Sequence, residues 1–183
     1  IDAGTPETYA RIRDTPEGNF GKVWGHVTRL AHEIRTPRPS GCVLGIGYVV
    51  TQDNWDEYEI SEGVRRAAES GAAYIRLSAM FSQYGAQPYR NDYARIRGIL
   101  HEARTAFETE VFKVHDLFGA RIEDLENGAP DYETCYYQRY NTYLGGDLNV
   151  YRCCVLAYNQ RGLLGSVKNQ TYPQFLAGAE DKL

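Results

Sequence analysis

The chain has 183 residues, enough for one domain or for one medium domain with a small appendage. Its hydrophobic fraction of 43% and charged fraction of 24% fit a globular chain, and the longest apolar run, Cys42 to Val50, is too short to cross a bilayer. Lys and Arg number 20 against 24 for Asp and Glu, so the net charge of -4 creates no basic field for nucleic-acid backbones. We therefore expect neither a membrane protein nor a nucleic-acid-binding protein.

Cysteine usage predicts the cellular compartment. Four cysteines are far fewer than a disulfide scaffold needs, and no signal-peptide pattern opens the sequence. Both features predict a reducing, cytoplasmic location. The chain begins at Ile1 without an initiator methionine, and its single methionine is Met80. We therefore expect the sequence to start partway through a longer protein.

Helical and strand patterns alternate from the start of the chain. Thr5 and Pro6 predict the beginning of a first helix, as N-cap and first helical residue. Apolar residues at three- and four-residue steps predict a second helix, which Pro37 and Pro39 end. Residues 42–50 are apolar throughout, and this pattern is typical of a parallel strand covered on both faces.

The same alternation continues to residue 116. Asn54 is a candidate N-cap for a third helix, because Glu57 follows it at the spacing of a capping box. Residues 72–79 and 111–115 have the character of strands, with a helical stripe between them. Repeated βα units predict parallel strands joined by right-handed crossovers. With a strand ending at Ile1-Asp2, four strands are predicted, whereas a closed barrel needs eight.

The composition changes after residue 116. Seven tyrosines and three cysteines fall within residues 132–158, which marks a second, small unit. Gly145-Gly146-Asp147 separates two strand-like segments, 136–144 and 150–158, and so predicts a β-hairpin.

Candidate site residues are those near the carboxyl ends of the predicted strands, where parallel βα folds bind ligands. Asp2 follows a strand and either contacts a ligand or caps a loop. Gly45 and Gly47 lie within a strand, where a missing side chain permits close approach of a ligand or of neighbouring backbone. Arg76 is a charge in an apolar strand, so it either faces a ligand or forms a structural ion pair. His115, at a strand end, is either an acid, base or ligand or a structural histidine.

Three cysteines flank the predicted hairpin. Cys135 precedes it, and the vicinal pair Cys153-Cys154 lies in its second segment. Clustered cysteines in a reducing compartment favour metal or iron–sulfur ligation over a disulfide. Neighbouring strand residues point to opposite faces, so we expect only one of the vicinal pair to ligate alongside Cys135. The alternative is burial as small apolar side chains, which is also the expected state of Cys42.

The order of these segments resembles the radical S-adenosylmethionine (radical SAM) enzymes that carry a C-terminal auxiliary-cluster domain of the SPASM or Twitch kind. Residues 1–13 resemble the family's fourth-strand segment and the helix after it. Residues 43–50, followed by Asn54 and Glu57, resemble its fifth strand, and residues 71–77 resemble its sixth. Four later segments resemble, in their order, the start of the auxiliary domain: Cys135, the Gly-Gly-Asp turn, Tyr151-Arg152-Cys153-Cys154 and Gly162-Leu163-Leu164-Gly165.

Two departures from the family pattern indicate which part of such an enzyme this chain resembles. The Cys-x-x-x-Cys-x-x-Cys loop, which holds the cluster that cleaves S-adenosylmethionine, is not among these residues, and no cysteine follows Cys154. The chain therefore resembles the C-terminal half of a radical SAM enzyme. We expect the isolated chain to be inactive and to produce no deoxyadenosine.

The resemblance implies an α/β fold in which a parallel βα half of a partial TIM-like barrel, residues 1–116, precedes a small β-hairpin auxiliary unit, residues 117–183. It implies S-adenosyl-L-methionine as cofactor, bound by Asp2, Gly45, Asn54 and Arg76. A 4Fe-4S cluster in the full-length protein and an auxiliary metal site are also implied, the latter with Cys135, Cys153 and Cys154 as ligands. The implied partners are a small-molecule or peptide substrate and a reductant protein. Two alternatives stay open: a non-catalytic binding or assembly protein with a zinc or empty cysteine site, and a fragment of an unrelated βα-barrel lyase.

Overall fold

The structure is a computed structural model that describes residues 1–35, 41–81, 84–127, 133–136 and 140–179. The chain divides into two units, Ile1–Ala129 and Pro130–Leu183, and each has its own apolar core. Within the described ranges, no helix is both long enough and apolar enough to cross a membrane.

Two helices open the first unit, as the sequence predicts. Helix α1 spans Pro6–Arg13, and the side chain of its N-cap Thr5 accepts a hydrogen bond from the Thr8 N–H at 3.2 Å. The helix ends at Asp14, whose φ of 47° lies in the left-handed region that stops a right-handed helix. Helix α2 spans Gly18–Arg35 and buries Phe20, Trp24 and Ala31 along one face.

A three-stranded parallel sheet with strand order β1-β2-β3 forms the centre of the first unit. The strands are β1 (Gly45–Val50), β2 (Tyr74–Ala79) and β3 (Lys113–Asp116). Between and after them lie the helices α3 (Glu57–Glu69), α4 (Tyr93–Phe107) and α5 (Phe118–Asn127). The predicted alternation of helices and parallel strands is therefore confirmed.

The N-cap of α3 differs from the prediction. Asp56, not Asn54, occupies that position, and its side chain accepts from the Glu59 N–H at 3.0 Å. The sequence contains the same Asx-x-x-Glu spacing twice, two residues apart, in Asn54–Glu57 and Asp56–Glu59. The helix uses the second because the Asn54 side chain is engaged elsewhere, as described below.

The sheet buries one face. Alternate strand residues belong to the same apolar cluster as the inner sides of α3 and α4, and from the strands these residues are Ile46, Tyr48, Val50, Ile75, Leu77, Ala79 and Val114. The residues between them are half-buried or exposed, including Gly47, Arg76 and His115. The expectation that residues 42–50 form a strand covered on both faces is thus wrong. Cys42 is also exposed rather than part of the core, because β1 begins only at Gly45.

The second unit contains a three-stranded antiparallel sheet, β4 (Tyr143–Leu144), β5 (Asn149–Tyr151) and β6 (Leu163–Ser166), followed by α6 (Tyr172–Ala177). Tyr143 pairs with Tyr151 across the turn at residues 145–148, which confirms the predicted hairpin. β5 is shorter than predicted, because the chain bends after Tyr151 and forms a 3-10 turn at Cys154–Leu156. Residues 137–139 of the predicted first strand lie outside the described residues.

The boundary between the units lies later than predicted. It falls between residues 129 and 130 rather than after residue 116. Helix α5 accounts for the difference, because Phe118, Ile122 and Leu125 pack into the apolar cluster of the first unit.

Candidate functional site

The uncovered side of the parallel sheet, which we name the open face, is the candidate functional surface. Its residues are Gly45, Gly47, Val49, Tyr74, Arg76, Ser78, Lys113 and His115. In the parallel pairing, Gly47, Arg76 and His115 form one row across the three strands, and Gly45, Tyr74 and Lys113 form the row before it. The charged side chains on this face, Arg76 and Lys113, are therefore both basic.

Arg76 is the central residue of the open face. It points away from the helices, and no hydrogen bond or ion pair reaches its side chain within the described part of the chain. The predicted alternative of a structural ion pair is therefore not found there. A Cβ added to Gly47 would lie 4.0 Å from an Arg76 guanidinium nitrogen, and no closer atom surrounds it. Gly47 thus leaves open space beside an accessible guanidinium.

Gly45 differs from its expected position at the carboxyl end of the sheet. It is the first residue of β1 and therefore lies at the amino end. A Cβ on Gly45 would come within 2.0 Å of the Tyr74 ring, so the missing side chain makes room for that ring rather than for a ligand. The Tyr74 ring also packs beside the His115 ring, with ring centroids 5.2 Å apart and the planes at 61°.

Asp2 lies beside the carboxyl end of β1, but residues 1–2 do not form the fourth parallel strand that the sequence predicts. Both carboxylate oxygens of Asp2 have partners. Oδ1 accepts from the Val49 N–H at 2.9 Å, and Oδ2 forms an ion pair with Arg13. The Ile1 nitrogen donates to the Gly47 carbonyl at 2.8 Å, so this segment runs beside the edge of β1. In this conformation Asp2 fixes the segment and presents no free oxygen.

Asn54 is fully buried and ties three backbone groups together. Its Oδ1 accepts from the Thr51 N–H at 2.7 Å, while Nδ2 donates to the carbonyls of Asp2 and Val49, each at 2.9 Å. Both donor hydrogens of the amide are used, and so is its acceptor. Asn54 therefore holds the β1–α3 turn against the N-terminal segment.

Glu59 is a buried residue that the sequence analysis missed. Its Oε2 accepts from the Gly4 N–H at 2.7 Å and the Thr5 N–H at 3.2 Å, and its Oε1 accepts from the Thr5 hydroxyl at 2.5 Å. A Cβ on Gly4 would lie 2.2 Å from the Glu59 carbonyl oxygen, so only glycine fits this approach. The spacing from Asp56 was the available signal, since it places Glu59 in the first turn of α3.

Tyr89 is a second missed residue, and it joins the carboxyl ends of two strands. Its side chain is 1% exposed; the hydroxyl accepts from the Met80 N–H at 2.8 Å and donates to the Val50 carbonyl at 2.7 Å. Burial, the largest effect, raises the pKa of Tyr89 above its usual 10.0. The hydroxyl therefore remains protonated and able to donate.

The three cysteines do not form a ligand set within the described part of the chain. Cys135 and Cys153 are half-buried and Cys154 is exposed. No three side chains of His, Cys, Asp or Glu in that part are grouped so that they could hold a metal ion. Cys153 is the last extended residue before the 3-10 turn that begins at Cys154, so the strand that would have aligned the pair ends too early. The described residues thus bring no set of three ligands together for an auxiliary cluster.

No protein-family model, no curated protein and no solved structure matches this chain. The fold and the open face are therefore the features from which a function can be inferred.

Proposed function

We propose that this chain is part of a radical S-adenosylmethionine enzyme. In this proposal the first unit is one segment of a partial TIM-like barrel, its open face lines the barrel interior, and S-adenosyl-L-methionine binds beside Arg76. The sequential strand order, with helices packed on one face, is the observation that supports it.

The handedness of the crossovers explains why the strand order supports a barrel segment. Parallel strands are joined by right-handed crossovers, so an order that always advances in one direction places every crossing helix on the same side. The order β1-β2-β3 advances in this way, and α3 and α4 also contact each other. Doubly wound sheets reverse direction and cover both faces, whereas barrels do not. The arrangement therefore favours a barrel segment.

The residues of the open face suit a ligand with a carboxylate, as S-adenosylmethionine has. Arg76 offers a planar set of donors with no competing partner among the described residues, and Gly47 lets the ligand approach the sheet. When bound to a reduced cluster, the cofactor supplies the radical that abstracts a substrate hydrogen, and the protein supplies placement. Asp2 and Asn54 contribute indirectly, by holding the carboxyl edge of β1 in one conformation. The proposal gives the three cysteines no role.

A binding measurement tests the proposal on the chain as it is. S-adenosyl-L-methionine is titrated into the protein by calorimetry, and the resonances of Gly47 and His115 are followed by NMR. We expect Arg76→Ala to weaken binding by about tenfold to a hundredfold, because a hydrogen bond to a charged group is lost. Arg121→Ala is the matched control, since this arginine is exposed on α5. Undetectable binding, or equal loss in both variants, contradicts the proposal and favours the non-catalytic alternative.

The encoding gene provides a second, independent test. A Cys-x-x-x-Cys-x-x-Cys sequence upstream of Ile1 is expected in the full reading frame. A reading frame that extends upstream through several further βα units without that motif is the contradicting result.

A further inference from the structure

An open groove follows β3 from its amino end to its carboxyl end. Its volume of about 390 Å³ is within the range of small-molecule sites. Its lining residues include Lys113, His115 and Leu117, which are two residues apart along the chain. The Leu117 N–H donates to the Leu77 carbonyl at 2.9 Å, so Leu117 continues the strand and its alternation one step beyond His115. The groove therefore borders the open face along its whole length.

The two carboxylates that line the groove already have partners. Glu108 Oε2 accepts from the Val114 N–H at 3.0 Å and lies 3.2 Å from the Nε of Arg104. Asp116 Oδ2 lies 3.4 Å from a guanidinium nitrogen of Arg97. An arginine therefore balances the negative charge of each acid.

Lys113 supplies an unbalanced positive charge at the amino end of the groove. Its side chain is exposed, and among the described residues no hydrogen bond or ion pair reaches its ammonium group. It lies near enough to Glu108 to help lower the pKa of that carboxyl, after the larger effects of the Val114 N–H and Arg104. One free ammonium group suits a ligand with a single negative charge. The two neighbouring carboxylates disfavour a dianion such as phosphate, because like charges repel.

The carboxyl end of the groove is apolar. Leu117 is 43% exposed, and Met80, which follows the neighbouring strand β2, is 42% exposed. The Met80 N–H donates to the Tyr89 hydroxyl, which donates to the Val50 carbonyl, so Met80 takes the next position on the open side after Ser78. Parallel βα folds bind ligands at this end of their strands, and a ligand that covers exposed apolar side chains gains free energy.

We propose that the groove along β3 binds an aliphatic or aromatic carboxylic acid, with its carboxylate at Lys113 and its apolar chain toward Leu117. The two ends are four residues apart, or about 13 Å along the strand, so the ligand is extended. His115 lies between them and is the register partner of Arg76, so the acid lies beside the site proposed for S-adenosylmethionine. Naming the acid as the substrate rests on the proposed function, whereas its binding does not.

Three probes test the two ends of the groove. Octanoate, butanoate and octanamide are each titrated into the protein by calorimetry, and the signals of His115 and Leu117 are followed by NMR. We expect octanoate to bind about tenfold more tightly than butanoate, because four further CH₂ groups are partly buried. Octanoate should also bind more tightly than octanamide, which has the same chain and no charge.

Two variants and two matched controls locate the binding. Lys113→Met should weaken octanoate binding by about threefold to tenfold and leave octanamide binding unchanged, because only the charge contact is lost. Leu117→Ser should reduce the preference for octanoate over butanoate. Lys22→Met and Leu30→Ser are the controls, at exposed positions on α2 of the same unit, and should bind as the parent does. Circular dichroism verifies that all four variants are folded.

The outcomes separate this inference from the proposed function. The inference is overturned if octanoate does not bind, if it binds no better than octanamide, or if a variant and its control lose equal affinity. S-adenosyl-L-methionine is titrated separately into the same protein. Binding of octanoate without binding of S-adenosyl-L-methionine supports the groove and contradicts the proposed function. Binding of S-adenosyl-L-methionine alone overturns the groove and leaves the proposed function in place.

Discussion

The two units are stabilised by different means. Among the described residues, 23 buried apolar side chains form one cluster in the first unit, whereas four form the cluster of the second unit, Val150, Leu164, Phe175 and Ala179. The second unit adds a polar network at its hairpin. Asp147 Oδ2 accepts from the Tyr151 hydroxyl at 2.6 Å and from Asn149 Nδ2 at 2.7 Å. Because a small unit buries little apolar surface, hydrogen bonds carry more of its structural specificity.

This difference also gives the tyrosines of the second unit a structural explanation. Tyr143 and Tyr151 pair across the hairpin, and the Tyr158 ring packs 5.6 Å from that of Tyr151. The Tyr158 hydroxyl accepts from the Gly146 N–H at 3.1 Å, which ties the turn to the residues after β5. Tyrosine provides apolar area and a hydrogen-bonding group in one side chain, which suits a unit with a small core.

The largest expected effect concerns the core of the first unit. Leu77→Ala should lower its free energy of unfolding by about 2–5 kcal/mol, because a fully buried side chain leaves a cavity. Arg76→Ala, the preceding residue on the open face, should change it by about 0.5 kcal/mol or less. Urea unfolding followed by tryptophan fluorescence measures this, since Trp24 and Trp55 both lie in the first unit. Equal losses would mean that the two faces are not as different as described.

A polar anchor within the first unit tests whether its large core makes hydrogen bonds dispensable. Asn54→Ala should cost about 1–3 kcal/mol, because half-buried backbone groups of Thr51, Val49 and Asp2 lose their partner. Gln52→Ala, at an exposed position in the same turn, is the control. A loss of no more than the control's would show that packing alone holds the carboxyl edge of β1.

The smallest expected effect is a pH dependence confined to the second unit. The Tyr151 hydroxyl, as the largest effect, lowers the pKa of Asp147 in the folded state below its usual 3.8. A lowered folded-state pKa stabilises the fold above pH 3.8, and this stabilisation is lost as the pH falls through the lower value. NMR signals of the second unit should therefore show its opening at acidic pH. Asp147→Asn should reduce the pH dependence, and an unaltered profile would contradict the role of this carboxylate.

Local signals in the sequence were sufficient for several elements. The cap at Thr5, the helical stripe of α2 and the glycines of the hairpin each depend on residues close in the chain, and the structure confirms all three. The sequence does not indicate that only one face of β1 is covered. Gly45, Gly47 and Val49 are not polar, so the strand shows no alternation of polar and apolar residues. A strand with one open face then has the same apolar character as a strand buried on both.

The candidate site was less predictable, because it depends on contacts distant in the chain. Nothing near Gly45 indicates that the Tyr74 ring covers it, and nothing near Asn54 indicates that Asp2 occupies its amide. Arg76 could be identified, because a charge within an apolar strand stands out without any knowledge of its neighbours. Its position opposite the helices follows only from the pairing of β2 with both other strands.

The hydroxyl of Tyr89 has a consequence for how accurately the strands align. It reaches the Val50 carbonyl and the Met80 N–H together only when β1 and β2 end level, as they do with Val50 beside Ala79. If β2 slipped by one residue, both hydrogen bonds would be lost in a buried position. The same slip would turn Arg76 toward the helices and Leu77 toward solvent, because successive side chains alternate between faces. The two hydrogen bonds of Tyr89 thus favour the observed register of β1 and β2, and this register places the charge of Arg76 on the open face.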